Sequence, residues 1–161
     1  MNLLPLVNDN ITELLIKIIE FTQIRQKTLI QNIKSIHSSG FVPKDLRVDE
    51  FCNLMNGAIN EHIQNQRLVL RDTENIKFSI SSSFEVKPMI DEYAKELLEE
   101  KRDEYLELQI NKLLENSLNQ RIAAELLKQR TVSTDYWTID YCEQVTKNKR
   151  IDNNHMQNRS L

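Results

Sequence analysis

The sequence predicts a mainly helical, elongated fold in which two long helices form an antiparallel, coiled-coil-like pair, with a short helix and a β-hairpin between them. Aliphatic residues recur with the helical period of 3.6 in two long segments, Ile11–Ser38 and Met89–Arg130. The 161 residues include only 2 Gly and 3 Pro, whereas sandwiches and barrels use both at their turns. Between the long segments the period changes to 2, which is typical of a strand.

The first long helix is predicted to begin near Ile11, because the side chains just before it can cap free backbone N–H groups. Its apolar stripe comprises Ile11, Leu14, Leu15, Ile18, Leu29, Ile33 and Ile36. Thr22, Arg25 and Gln26 interrupt this stripe with polar groups. Two interpretations of Arg25 and Gln26 stay open: a polar contact at a helix crossing, or a specific role in assembly. Gly40 is predicted to adopt a left-handed conformation after the helix.

The middle of the chain is predicted to hold a short helix and a hairpin. The helix is predicted from about Val48 to Asn65, and its apolar side comprises Phe51, Leu54, Met55, Ala58, Ile59 and His62 or Ile63. In the segment that follows, apolar residues from Ile76 to Val86 alternate with polar ones, which places them on one face of a strand. The turn chemistry of residues 72–75 predicts Leu68 and Leu70 as the partner strand, giving a hairpin over residues 67–87.

The second long helix is predicted to run without a break from Met89 to about Arg130, because that segment contains neither Gly nor Pro. Residues 1–131 then form a single helical domain. The apolar stripe of a helix this long cannot be buried entirely within one small domain, so part of it must contact another element or another chain. Residues 132–161 are predicted as a C-terminal tail with a disordered end. Its aromatic patch, Tyr136, Trp137 and Tyr141, would dock on the protein itself or on a partner.

Composition and motifs argue against several classes of function. The formal net charge of −3 lacks the basic excess of a nucleic-acid-binding protein. No segment approaches the roughly 20 apolar residues of a membrane span, and no cleaved signal is expected. The histidines and cysteines lack metal-ligand spacing, and there is no Gly-rich phosphate loop. We therefore expect no catalytic site, cofactor, metal or small-molecule substrate.

Two stretches resemble motifs of a known family. At residues 21–45 the sequence reads FTQIRQKTLIQNIKSIHSSGFVPKD. This resembles the N-terminal motif of flagellar basal-body rod proteins, in particular the proximal rod protein FlgB family. The residues that match are Arg25, Gln26, Leu29, Asn32, Ile33, Gly40, Phe41 and Asp45. Near the other end, the stretch from Glu115 to Leu118, together with Ile122 and Leu127, resembles the C-terminal helix motif of the family.

The resemblance implies a structural, self-assembling subunit of the bacterial flagellar rod that is not an enzyme. Its terminal helices would pair and pack against neighbouring copies and other rod or export proteins. The residues implied in that packing are Arg25, Gln26, Leu29, Asn32, Ile33, Gly40, Phe41, Asn116, Leu118 and Ile122. The implied location is the basal body, in the periplasm, after type III export without a cleaved signal. The alternative is a cytoplasmic coiled-coil adaptor or export chaperone that binds another protein.

Overall fold

The computed structural model describes the backbone of residues 4–78 and 84–157, and the side chains of residues 10–78 and 84–130. Its helices are α1 (Leu4–Lys34), α2 (Val48–Asn65), α3 (Glu92–Glu100) and α4 (Arg102–Gln157). Its short strands are β1 (Lys44–Asp45), β2 (Ile76–Phe78), β3 (Phe84–Val86) and β4 (Met89–Ile90). The chain divides into two compact units, residues 1–124 and 125–161. Every contact described below lies in the first unit.

The antiparallel pairing of the long helices is confirmed. Asn32, near the end of α1, bonds to Gln109 near the start of α4. Thr22, ten residues earlier on α1, bonds to Asn116, seven residues later on α4. The two helices therefore run in opposite directions. The predicted mainly helical fold, with a short helix and a small hairpin between the long ones, is confirmed with it.

The apolar core of the first unit lies between α1, α2 and the β2–β3 hairpin. Phe21 of α1 stacks on Phe51 of α2, with ring centroids 4.0 Å apart and planes 7° from parallel. Met55, Ala58 and Ile76 complete the buried centre. Burying a side chain of this size contributes about 1.5–3 kcal/mol relative to leaving it exposed. These contacts hold α2 and the hairpin against α1. The apolar sides of α1 and α2 predict this packing.

The hairpin forms within residues 76–86, so the predicted partner strand at Leu68 and Leu70 is wrong. β2 pairs antiparallel with β3, and Ile76 lies opposite Val86. Residues 79–83, which include Ile80, lie outside the described part of the chain. Leu68 and Leu70 instead pack, partly buried, against the core without joining a strand. The alternating pattern is shared by both strands of one hairpin because each turns its apolar side to the same core.

The second long helix is not continuous and does not begin at Met89. Met89 and Ile90 form β4, which pairs antiparallel with β1. Asp91 then caps α3, because its side chain accepts a hydrogen bond from the backbone of Ala94. A break follows at Lys101, where φ is −146° and ψ is 78°. Helical propensity alone could not show that strand pairing and capping would divide this segment.

The ends of the other helices also differ from the prediction. α1 begins at Leu4 and ends at Lys34, before the predicted end at Ser38, because a turn closes between Ser35 and Ser38. Gly40 follows with a φ of +72°, the left-handed conformation predicted for it. The predicted bounds of α2 are confirmed. α4 continues to Gln157, so the helix end predicted near Arg130 is wrong. Across the described residues, no helix carries an apolar stretch long enough to cross a bilayer.

Candidate functional site

Polar side chains that are buried or partly buried connect α1 to α4, to β1 and to Asp91, which follows β4. We call this set the polar seam; it comprises Thr22, Arg25, Asn32, Asp45, Asp91, Tyr105, Gln109, Lys112 and Asn116. Thr22 and Arg25 are residues that interrupt the predicted apolar stripe, and their contacts within the seam explain the interruption. A buried polar group is costly unless it is hydrogen-bonded. The contacts within the seam therefore determine whether it stabilises the helix pair.

Arg25 and Asp45 form the centre of the polar seam. The Arg25 guanidinium donates from Nε and Nη2 to the two Asp45 carboxylate oxygens, at 3.0 and 3.1 Å. Arg25 is only 6% exposed. Two parallel N–H···O bonds fix the orientation of both groups, so this pair is directional as well as ionic. It connects the middle of α1 to β1, twenty residues later in the sequence.

Lys112 of α4 joins the same carboxylate from the opposite helix. Its ammonium group donates to Asp45 Oδ2 at 2.9 Å and also to Asp91 Oδ2. Asp91 uses its other oxygen to cap α3. Two cations and two carboxylates thus alternate along one chain of contacts, Arg25, Asp45, Lys112 and Asp91. The charges cancel within the group, which lowers the cost of burying them.

The pKa values of the seam residues reflect this pairing. Burial by itself raises the pKa of Asp45, but the hydrogen bonds and charges of Arg25 and Lys112 outweigh burial and lower it below the ordinary value. Burial lowers the pKa of Lys112, and its bonds to Asp91 and Asp45 more than reverse that effect, so the net shift is upward. Both groups therefore stay ionised across the neutral range.

The Asn32 side chain makes hydrogen bonds to the backbone of β1 of the kind that a third strand would make. Its amide nitrogen donates to the Lys44 carbonyl at 2.7 Å, and its side-chain oxygen accepts from the Lys44 N–H at 3.1 Å. The same nitrogen also donates to Gln109 Oε1 at 2.9 Å. Because β4 pairs with the other edge of β1, both edges of this short strand are satisfied. One side chain of α1 thus binds the strand and α4 together.

Two further bonds extend the polar seam along α4. The buried Tyr105 hydroxyl donates to the Asn32 carbonyl at 3.1 Å, and desolvation, with the Asp91 charge adding to it, raises the Tyr105 pKa to about 12. The Asn116 side chain donates to the Thr22 carbonyl at 2.8 Å. Thr22 in turn directs its own hydroxyl to the carbonyl of Ile19. The polar seam therefore fixes the register of α1 against α4 at several positions along the two helices.

The structure separates the predicted packing residues into two groups. Arg25, Leu29, Asn32 and Asn116 are buried. Gln26, Ile33 and Phe41 are half-buried, and Gly40 is exposed. For Arg25, the structure gives a polar contact within the fold, and the partner is Asp45. The side chains of Tyr136, Trp137 and Tyr141 lie outside the described ones, so the aromatic patch stays a prediction.

Leu118 and Ile122, which the rod-protein resemblance implies in packing, are not buried inside the helix pair. They are 58% and 50% exposed, and they continue a row with Ile110 and Leu114 at intervals of four residues. We call these four residues the α4 stripe. Gln109, Asn116 and Ala123, which are buried, lie on the opposite side of the same helix. Apolar residues on both sides of α4 made the sequence ambiguous about which side faces α1.

Several seam residues were not predicted as site residues. Asp91 directly precedes a segment of strong helix formers, which is the position of an N-cap, and that signal could have identified it. Tyr105 has the helical spacing of an apolar stripe residue, and Gln109 and Lys112 resemble ordinary surface residues of a helix. Their partners Asn32 and Asp45 are 67 to 77 residues away in sequence, so nothing local marks them.

The contacts of the polar seam hold α1, β1, α3 and α4 together. Within the described residues, no three His, Cys, Asp or Glu side chains form a group that could hold a metal ion. Each carboxylate of the seam is engaged by a cation. The chain matches no protein-family model, no curated protein and no solved structure. Its function must therefore be argued from its own residues.

Proposed function

We propose that this chain is a structural subunit that associates with other copies of itself through its long helices, as a flagellar basal-body rod protein or a divergent relative. In this proposal the protein acts by packing and has no catalytic role. Its partners are further copies and other rod or export proteins. It reaches the periplasmic side of the basal body by type III export.

The observation that carries this proposal is the placement of the residues that resemble the rod-protein motifs. Arg25, Asn32 and Asp45 come from the N-terminal motif and Asn116 from the C-terminal one, and all four belong to the polar seam. Motifs from the two ends of a family pattern thus serve one structural purpose in this chain: they set the register of the helix pair. A helix pair of fixed register suits a subunit that must repeat identically in an assembly.

The α4 stripe supports association because it leaves aliphatic side chains in water. Ile110 and Leu114 are 48% and 64% exposed, and Leu118 and Ile122 continue the same row. A row of this kind at helical spacing is typical of a face that packs against another helix. Contiguous apolar surface on a water-soluble unit marks an interaction site more often than isolated apolar residues do.

Sedimentation velocity over a range of concentrations tests the proposal. We expect the purified chain to form oligomers that grow with concentration. The double variant Leu114→Asp, Leu118→Asp should form smaller oligomers at the same concentrations, because it places charges in the middle of the α4 stripe. Its melting temperature should stay within a few degrees of wild type, since both residues are largely exposed.

The matched control is the double variant Ser117→Asp, Asn119→Asp, which adds the same charge on the same turns of α4 but beside the stripe. It should associate like wild type. A wild-type chain that stays monomeric at every concentration would contradict self-association and favour the adaptor or chaperone alternative. Loss of motility on deletion of the gene, restored by wild type but not by the stripe variant, would support the rod assignment; full motility after deletion would contradict it.

A further inference from the structure

An open groove lies between the last turns of α1, the loop that follows Gly40, and β4. Its volume is about 720 Å³. Phe41, Val42, Pro88 and Ile90 form the apolar part of its lining, and Lys27 and Lys44 are its charged residues. Of the polar seam, only Asn32 lines the groove, beside Lys44, whose backbone it binds.

The groove is cationic as well as apolar. Lys27 and Lys44 are both exposed, and neither lies within ion-pair distance of a carboxylate among the described residues. The backbone of Lys44 is held by Asn32, so its side chain projects from a fixed strand. Two lysines beside an apolar surface favour a ligand that combines an apolar group with carboxylates.

Helix α3 of the same chain carries that combination on its surface. Tyr93 is 62% exposed, and Glu96 and Glu100 follow it at intervals of three and four residues, so the three side chains share one face of the helix. Both glutamates are exposed. Glu92 and Glu99 also lie on this helix, and its one lysine, Lys95, pairs with Glu92, so the helix keeps a negative balance. The chain therefore carries a cationic apolar groove and an acidic aromatic helix face.

We propose that the groove binds α3 of a second copy of this chain, with Tyr93 against the apolar lining and the two glutamates near Lys27 and Lys44. This inference rests on the proposed function, because it names a surface by which copies associate. It is separate from the α4 stripe and depends on opposite charges. Salt should therefore weaken this contact, whereas it should not weaken an aliphatic one.

The test is a charge exchange followed by sedimentation velocity. Lys27→Glu, Lys44→Glu reverses the groove, and Glu96→Lys, Glu100→Lys reverses α3. Each variant alone should associate at least tenfold more weakly than wild type, because like charges then meet. An equimolar mixture of the two should recover association, since each groove again meets an α3 face of opposite charge. Arg71→Glu, Lys77→Glu, with the same change in formal charge as the groove variant at exposed sites elsewhere, should associate like wild type.

The sedimentation results distinguish binding of α3 in the groove from self-association through other surfaces. Loss of association in each variant with recovery in the mixture supports binding of α3 in the groove. Association of wild type that neither reversal weakens would overturn this inference and leave self-association standing. Loss without recovery in the mixture would also overturn it, because the groove would then bind something other than α3. A wild-type chain that is monomeric throughout would overturn both. Circular dichroism on each variant confirms that it is folded.

Discussion

Asp45 is the residue on which the polar seam depends most, because a single carboxylate serves Arg25 from α1 and Lys112 from α4. Replacing a buried partner leaves the opposite charge without compensation, which costs more than the pair itself contributes. The seam is therefore stable as a complete set and vulnerable to the loss of one member.

We expect Asp45→Asn to lower the free energy of unfolding by about 3 kcal/mol, because Arg25 and Lys112 then lose their shared anion inside the fold. Urea denaturation followed by circular dichroism measures the change. The control is Asp49→Asn, which removes an exposed ion pair with Arg47 and should leave the urea midpoint almost unchanged. Equal effects of the two substitutions would contradict the central role of Asp45.

The lowered pKa of Asp45 predicts a pH dependence of stability with a defined sign. Because the folded-state pKa lies below the unfolded value of about 3.9, the unfolded chain binds the proton more tightly. The contribution of Asp45 is then complete above the unfolded pKa and is lost as the pH falls through the folded pKa. The difference in unfolding free energy between wild type and Asp45→Asn should shrink in that acid range. A difference that is constant from pH 7 down to pH 2.5 would contradict this account.

The break at Lys101 divides into two helices, α3 and α4, a segment whose composition predicts a single helix. α4 begins at Arg102, with Asp103 and Glu104 in its first turn. Carboxylates are favourable there because the first N–H groups of a helix are unpaired and carry partial positive charge. α3 and α4 are therefore separate helices, and each can tolerate changes at the junction that a continuous helix could not.

Proline substitution tests this break. Arg102→Pro places proline at the first position of α4, where its fixed φ suits the helix and the missing N–H matters little. We expect the urea midpoint to change only slightly. Glu107→Pro, at an exposed position inside α4, should cost about 3 kcal/mol or more. If both prolines are equally damaging, the helix runs through Lys101 without interruption.

Sequence periodicity was sufficient to locate the helices but not to give all of their ends or the contacts between them. The predicted bounds of α2 agree with the structure, because Phe51, Met55 and Ala58 share one apolar side that the core buries. β4 was missed because Met89 and Ile90 lack any strand pattern of their own and are extended only through pairing with β1. Arg25 was identified as an interruption of the stripe, whereas its partner Asp45 became evident only from the folded chain. Long-range pairing of this kind leaves no periodic signal.

At the scale of the whole molecule, the described core and the polar seam both lie within residues 1–124. A chain truncated after Arg130 should therefore unfold cooperatively with a urea midpoint close to that of the full chain. A chain truncated after Leu108 lacks Gln109, Lys112 and Asn116 and should lose cooperative unfolding, because Asn32, Asp45 and Thr22 then have no partners on α4. Loss of cooperativity in the longer truncation would show that the second unit is needed for the first to fold.

The polar seam also determines how the helix pair responds to force along its axis. Sliding α4 past α1 by one turn displaces every partner by about 5.4 Å, which is farther than any hydrogen bond reaches. The bonds of Asn32, Asp45 and Asn116 would break together, so the pair resists axial shear as a unit. The α4 stripe has no such directional contacts, since its residues are all aliphatic. A second copy packed on the stripe can therefore shift along it at low cost. The polar seam meanwhile keeps α1 and α4 of each copy in register.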